Sequence, residues 1–118
     1  MRDFKKLLIW EKGHKLVIKV YDISKILPKD ELYGITSQIR RAVVSVPTNI
    51  AEGAGKKSTK DFSRYLNIAL GSLSEVQYLL FLIKELNFII PSQIEDLENE
   101  ANDLKKMLYK YIVKINEN

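Results

Sequence analysis

The stretch FSRYLNIALGSLSEVQYLLFLI, residues 62–83, decides the fold class, because its apolar residues recur at alternating steps of three and four. This spacing is typical of an amphipathic helix whose apolar stripe packs against neighbouring helices. The stripe consists of Phe62, Leu66, Ala69, Leu73, Val76, Leu80 and Ile83. We therefore expect a long helix here, with partner helices elsewhere in the chain that cover it.

Three other segments repeat this spacing, and none shows the period of two that predicts a strand. In the first segment the apolar stripe is Ile9, Leu16, Val20, Ile23 and Leu27, and Gly13 lies on the same stripe. In the second it is Ile35, Ile39, Ala42, Val46 and Ile50. In the last it is Ile94, Leu97, Ala101, Leu104, Leu108, Tyr111 and Ile115. The sequence therefore predicts four helices and no sheet.

Residues typical of turns and helix caps separate the four segments. Pro28–Asp30 separates the first and second helices. Gly53 and Gly55, which we predict to end the second helix in the left-handed conformation, precede the capping pair Ser58 and Asp61 of the third. Asn87–Pro91 separates the third and fourth helices and is followed by the capping pair Ser92 and Glu95. All three connections are short, so consecutive helices must be antiparallel neighbours. We predict an all-α fold with one domain, residues 1–118: an antiparallel up-down-up-down four-helix bundle.

The second helix contains a proline near its middle. Pro47 has no backbone N–H, and its ring clashes with the carbonyl of Val43, four residues earlier. Because proline is a common cause of sharp bends in helices, we predict that helix 2 is kinked at Pro47.

The composition indicates a reducing compartment and an aqueous environment. The chain has no cysteine, which excludes disulfides and thiolate metal sites. Its longest apolar run, Tyr78–Ile83, falls short of the about 18–20 residues that span a membrane. The run Leu7–Trp10 is too short for a signal peptide and is followed at once by charged residues. We expect a cytoplasmic protein with no membrane partner.

Two short motifs resemble catalytic sites but lack essential parts. Gly55–Ser58 resembles the end of a P-loop, yet Ile50 stands in place of the first glycine, an extra lysine precedes the serine, and a helix instead of a strand comes before it. Glu11–His14 is an E-x-x-H motif, but a di-iron bundle needs two such motifs and this chain has one histidine. A metal site with histidines from two subunits is the alternative left open.

His14 shares a helical stripe with Trp10, Val17 and Tyr21, where we expect it to pack or to form a hydrogen bond. Nucleophilic catalysis has no good candidate either, since the chain has no cysteine and no serine in a G-x-S-x-G motif. We therefore predict no enzymatic activity, no catalytic residue, no metal and no cofactor.

The excess positive charge lies in one part of the sequence. The chain carries 19 Lys and Arg against 15 Asp and Glu, and residues 36–64 hold six of the former and two of the latter, which leaves 13 of each elsewhere. The six are Arg40, Arg41, Lys56, Lys57, Lys60 and Arg64. A basic stripe along one side of the bundle would suit a phosphate backbone, and the alternative is an ordinary solvated surface.

The third helix is apolar on nearly every side near its end, which exceeds what a monomeric bundle helix needs. We predict an oligomer interface there, formed by Tyr78, Leu79, Leu82 and Leu86. The alternative is that long side chains of neighbouring helices cover this surface. The acidic first half of the fourth helix, Glu95–Asp103, either complements the helix dipole or docks against the basic region of another subunit.

Three strings carry a resemblance to a known family: WEKGHKL at residues 10–16, SQIRRAVVSVPTNIAEG at 37–53 and IALGSLSE at 68–75. They resemble the bacterial four-helix bundle proteins encoded in intervening sequences of 23S ribosomal RNA genes, once labelled S23 ribosomal proteins. The resemblance covers nearly the whole chain. One departure is Gly13, where the family leads us to expect alanine.

This resemblance implies a ring-like homo-pentamer and supplies no catalytic residue. It also implies kinship with the accessory variability proteins of diversity-generating retroelements, which form basic pentameric barrels and bind a reverse transcriptase and nucleic acid.

Together, the residues and the resemblance favour a non-enzymatic, oligomeric bundle that binds structured RNA or DNA through the basic stripe. Phosphate contacts would dominate such binding, because the chain contains no base-reading module. The alternative is a protein-interaction scaffold or adaptor, for example for a reverse transcriptase, without direct nucleic-acid binding.

Overall fold

The computed structural model describes residues 2–117, which form a bundle of four α-helices measuring 47 × 23 × 20 Å. The helices are α1 (Leu8–Ser24), α2 (Ser37–Ala54), α3 (Thr59–Glu85) and α4 (Pro91–Ile115). Each helix packs against the next in sequence, and α4 closes the bundle against α1. The predicted all-α four-helix bundle is confirmed.

The connections at the start of the chain are helical turns. A 3-10 turn, Phe4–Lys6, precedes α1. Between α1 and α2, a 3-10 turn, Lys29–Glu31, is followed by a π turn, Leu32–Thr36, that runs directly into α2. The separator predicted at Pro28–Asp30 therefore lies in a longer helical connection.

The predicted apolar stripes form the core. Every residue of the second and third predicted stripes is buried, as are those of the first and last stripes except Ile23, Tyr111 and Ile115, which are half-buried. Burial of each large apolar side chain contributes about 1.5–3 kcal/mol. This shared core holds the four amphipathic helices together.

The ends of α3 follow two capping patterns. At its start, the Ser58 hydroxyl accepts a hydrogen bond of 3.0 Å from the Asp61 amide, which confirms the predicted cap. At its end, Asn87 adopts φ = 58°, the Phe88 amide donates to Ile83 and the Asn87 amide donates to Lys84. This double hydrogen bond is a Schellman motif, and asparagine tolerates the left-handed conformation that it requires.

The capping pair predicted at Ser92 and Glu95 is wrong. α4 begins at Pro91, Ile90 occupies the cap position, and no side chain caps it. Proline is well suited to the first helical position, because its fixed φ matches the helix and its missing N–H would have no partner there.

The two glycines at the end of α2 do not act as predicted. Neither has positive φ: Gly53 lies inside α2, and Gly55 has φ = −80°. Gly53 instead permits a close approach between α2 and α3. A Cβ atom at Gly53 would lie 2.8 Å from Cβ of Tyr65 and 3.2 Å from the carbonyl oxygen of Phe62.

Gly13 lies on the surface of α1 that faces α2, and its surroundings are less crowded than those of Gly53. A Cβ atom there would lie 3.5 Å from Cγ1 of Val46 and 3.6 Å from Cβ of Pro47, which are ordinary van der Waals contacts. The α1–α2 contact therefore has room for an alanine.

α2 continues through Pro47 without interruption. The side chains that follow it bond back to the preceding turn: the Thr48 hydroxyl donates to the Val44 carbonyl at 2.7 Å, and the Asn49 amide donates to the Ser45 carbonyl at 2.8 Å. Such bonds accompany bent helices. The kink at Pro47 stays a prediction.

α3 is long and apolar enough, by length and composition alone, to span a membrane, although the longest uninterrupted apolar run is short. Its core stripe is buried between α2 and α4. Burial in the bundle explains the apolar character of that stripe. It does not explain the exposed apolar residues on the outer face of the helix.

Lys84 and Glu98 join α3 to α4. The Lys84 Nζ atom lies 2.8 Å from Oε1 of Glu98, and each side chain is about three-quarters buried. The hydrogen bond from Lys84 to Glu98 raises the pKa of Lys84 above its ordinary value, against the effect of desolvation. The Lys84 side chain therefore stays charged at neutral pH, and its contact with Glu98 helps to align the two helices at this end.

The two buried glycines predict opposite responses to the same substitution. Gly13→Ala should raise the free energy of unfolding by about 0.5–1 kcal/mol, because it removes the helix penalty of glycine without a clash. Gly53→Ala should lower it by about 1–2 kcal/mol, because overpacking outweighs the same helix gain. Urea denaturation followed by circular dichroism measures both. A gain in stability for Gly53→Ala would contradict the close α2–α3 contact.

Candidate nucleic-acid interface

The turn from α2 to α3 gathers four of the predicted binding residues at one end of the bundle. Lys56 and Lys57 lie in the connection, and Lys60 and Arg64 lie one turn apart at the start of α3. Lys57, Lys60 and Arg64 are exposed, and Lys56 is half-buried. The turn thus presents four cationic side chains over a short length of chain.

A tyrosine ring organises two of these cations. The Nζ atom of Lys56 lies 5.3 Å from the ring centroid of Tyr65, and the guanidinium carbon of Arg64 lies 4.9 Å from it. Attraction to the ring quadrupole favours both positions. Asp61 lies 3.9 Å from Arg64 in an exposed pair that offsets little of its charge. Tyr65 therefore holds Lys56 and Arg64 close together.

The start of the chain adds cations that sequence reasoning missed. The Arg2 amide donates a 2.9 Å hydrogen bond to the Ala54 carbonyl at the end of α2. Its guanidinium carbon lies 4.3 Å from the ring centroid of Phe62. Lys5 and Lys6 follow in the exposed 3-10 turn. The sequence signal was a basic cluster just before the first amphipathic helix.

The C-terminal half of α4 reaches the same end. The Asn116 side chain donates a 3.0 Å hydrogen bond to the hydroxyl of Ser63 near the start of α3. Lys110 and Lys114, both exposed, precede it on the last turns of α4. We call this set the basic end: Arg2, Lys5, Lys6, Lys56, Lys57, Lys60, Arg64, Lys110 and Lys114. Its acidic neighbours, Asp3, Glu11, Glu52, Asp61 and Glu117, are fewer.

The two remaining predicted binding residues lie elsewhere. Arg40 and Arg41 are on α2 more than two turns before its end. Arg41 is exposed, but Arg40 is half-buried against α1, where its Nε atom donates a 2.8 Å hydrogen bond to the hydroxyl of Ser24. Arg40 is therefore partly covered by α1, and the predicted stripe divides into the basic end and the separate pair of Arg40 and Arg41.

The predicted oligomer interface is mostly on the outer face of α3. Tyr78 and Leu86 are 59% and 47% exposed, and Leu82 is half-buried. Leu79 is 1% exposed, so its assignment to the interface is wrong: it belongs to the core. Phe81, which is 49% exposed, takes its place on the outer face.

The acidic half of α4 is partly engaged within the chain. Glu98 pairs with Lys84 across the α3–α4 contact, and Glu100 pairs with Lys19 of α1. These carboxylates stabilise helix contacts in the bundle, which adds a third explanation to the two weighed from the sequence.

His14 packs as its stripe predicted. Its ring stacks on that of Trp10, with centroids 5.1 Å apart and planes 4° from parallel. Among residues 2–117, no three His, Cys, Asp or Glu side chains are grouped so as to hold a metal ion. The basic end is therefore the leading candidate for a functional site.

Comparison with known proteins agrees with this fold. The model of the 23S rRNA-intervening sequence protein family matches residues 5–110. No curated protein matches the chain. Among solved structures, the chain is similar to a protein of unknown function from the S23 ribosomal protein family of Bacteroides thetaiotaomicron, with 27% identity over 89% of this chain and 98% of that chain and a TM-score of 0.83. Because the family match extends over most of the bundle, the chain belongs to the 23S rRNA-intervening sequence protein family.

Proposed function

We propose that this protein is a non-enzymatic, oligomeric bundle that binds structured nucleic acid through its basic end. The observation that carries the proposal is the convergence of cations from the chain start, the α2–α3 turn and the end of α4. Lysine and arginine side chains that neutralise phosphates release counterions, and this release drives binding of any sequence. The name of the family, which refers to an rRNA gene, makes RNA the first ligand to test.

The dimensions of the basic end suit a structured ligand. The bundle is 23 × 20 Å in cross-section, a length over which one strand of a B-form duplex carries about six phosphates, at ~3.4 Å of helix axis per nucleotide. Lys60, Arg64, Lys110 and Lys114 project from helices, so their spacing is set by the backbone. A ligand with regularly spaced phosphates can bind these side chains at a lower cost in conformational entropy, because the helices already hold their backbones in place.

The outer face of α3 supports the oligomeric part of the proposal. Tyr78, Phe81 and Leu86 are each about half exposed or more, and Ile68 lies further along the helix at 44% exposure. Exposed apolar side chains grouped on one face of a helix are typical of protein interfaces. We propose that copies of the chain associate through this face, and the family resemblance makes a pentamer the expected assembly.

The same apolar face favours the second candidate function, a scaffold or adaptor for another protein such as a reverse transcriptase. In that case the basic end binds an acidic protein surface instead of phosphates. A defined partner that co-purifies with the protein after nuclease treatment would favour the scaffold.

Reversing the charge of the basic end should abolish RNA binding. We expect the triple variant Lys56→Glu, Lys57→Glu, Lys60→Glu to lose saturable binding of a labelled, structured RNA, measured by fluorescence anisotropy, while its helicity is unchanged. Neutralising the same lysines with glutamine should reduce the log–log salt slope by about 2–3, or 0.7–0.9 for each phosphate that a lysine no longer neutralises.

The matched control carries the same change of charge toward the other end of the bundle: Lys25→Glu, Lys29→Glu, Arg41→Glu. All three side chains are exposed, Lys29 and Arg41 form no ion pair among the described residues, and the pair of Lys25 with Asp22 is itself exposed. Equal loss of binding in both triple variants would mean that net charge alone matters, and unchanged affinity in the first would refute the site.

Light scattering tests the oligomer. The protein should have a mass several times that of one 13.7 kDa chain, and Tyr78→Glu with Phe81→Glu should reduce it to one chain without unfolding, because buried carboxylates at an interface are unfavourable. Tyr109→Glu is the control, since Tyr109 is 61% exposed on α4 instead. A mass near 13.7 kDa for the unmodified protein would refute the proposed oligomer.

A further inference from the structure

A groove lies where the end of α1 meets the start of α2, toward the opposite end of the bundle from the basic end. Its volume is about 370 Å³. It is lined by Ser24, Lys25, Leu27, Pro28, Lys29, Leu32, Thr36 and Arg40. The groove thus combines three cationic side chains, two hydroxyl groups and an apolar floor.

Thr36 is the unusual member of this lining. It is 4% exposed, and its hydroxyl oxygen has no hydrogen-bond partner among the residues that the structure describes. A buried hydroxyl without a partner destabilises the folded state, and such groups in native proteins call for an explanation. Threonine in a helix has two accessible χ1 rotamers, so a change of rotamer is the movement that would present this hydroxyl to a ligand.

Arg40 is held in place beside it. Its Nε atom donates to the Ser24 hydroxyl at 2.8 Å, and that hydroxyl donates in turn to the Tyr21 carbonyl at 2.8 Å. Its guanidinium carbon lies 5.1 Å from the ring centroid of Tyr21. Within residues 2–117, no group accepts a hydrogen bond from its two terminal nitrogens. A fixed guanidinium with free terminal nitrogens is prepared for bidentate binding of an oxyanion.

The other charges at the groove add to this. Lys29 is exposed and makes no ion pair within the described chain, whereas Lys25 lies 3.4 Å from Asp22 in a pair that is more than 70% exposed on both sides. Two acidic groups lie on the connection: Glu31, whose carboxylate accepts a hydrogen bond from the Ile35 amide at 3.2 Å, and Asp30, which is exposed. The lining of the groove therefore carries three cationic side chains and no carboxylate, while Asp22, Asp30 and Glu31 lie outside the lining.

We propose that this groove binds a phosphate monoester with an apolar or aromatic body. Arg40 binds two phosphate oxygens, Thr36 donates its hydroxyl to a third, and Lys25 and Lys29 stabilise the remaining charge. Leu27, Pro28 and Leu32 contact the body of the ligand. The site is independent of nucleic-acid binding at the basic end, because it shares no residue with it.

Titration calorimetry with simple probes tests the ligand class. We expect phenyl phosphate to bind, inorganic phosphate to bind more weakly because it lacks the apolar body, and phenol not to bind. Benzoate binding as tightly as phenyl phosphate would overturn the commitment to phosphate. A 5′-phosphorylated trinucleotide, compared with its 5′-hydroxyl form, distinguishes a polynucleotide end from a free organic phosphate as the source.

Matched variants test the residues. Arg40→Gln should weaken phenyl phosphate binding by about tenfold or more, as expected for a charged hydrogen-bonding partner. Arg41→Gln makes the same change on the next, exposed residue and should leave affinity within about twofold, since Arg41 does not line the groove. Circular dichroism establishes that both variants are folded.

Thr36→Val separates a binding role from a structural one. Removing an unpaired buried hydroxyl should raise Tm by about 2–6 °C, and the absence of its hydrogen bond to phosphate should weaken phenyl phosphate binding by about threefold or more. A higher Tm with unchanged affinity would remove Thr36 from the site. No binding of phenyl phosphate by the unmodified protein, or equal weakening in Arg40→Gln and Arg41→Gln, would overturn the proposal as a whole.

Discussion

The packing of Phe62 at the start of α3 is the contact on which the basic end of this bundle depends. The side chain is fully buried, the backbone of α2 approaches it at Gly53, and the ring of Tyr111 from α4 meets it edge-on with centroids 5.9 Å apart. Arg2 covers the same ring. Three helices and the start of the chain are thereby held around one aromatic side chain, and their cations are brought to one end.

This concentration of charge carries a cost that the packing offsets. Like charges brought close together repel, and salt screens them over about 8–10 Å. Here two of the cations lie against Tyr65 and another lies against Phe62, so aromatic rings compensate part of the repulsion without neutralising the charge. Carboxylates placed there instead would stabilise the fold but remove the attraction for phosphates. The arrangement therefore keeps the basic end positive while it lowers the cost of the repulsion.

Arg40 shows how a charged residue changes meaning once its neighbours are known. In sequence it stands beside Arg41 and has the same apparent role. In the bundle, Arg41 faces solvent, whereas Arg40 reaches across to Ser24 and Tyr21 of α1. Both residues are arginines, so their identity does not predict that one is exposed and the other contacts α1. The difference depends on which of the two positions faces the neighbouring helix. The same contact makes Arg40 part of a groove and not of a stripe.

The sequence by itself determined the four helices, nearly all of the core and the order of packing, because apolar spacing and short connections are local properties of the chain. It did not determine the reach of the core on α3: Leu79 is buried because α2 and α4 cover the helix from two sides, which widens its buried face beyond one stripe. Nor did it determine the basic end, since Arg2, Lys56 and Lys114 are distant in sequence and meet only through antiparallel packing. The sequence could not predict the unpaired hydroxyl of Thr36 either, because its burial and its lack of a hydrogen-bond partner depend on the tertiary structure.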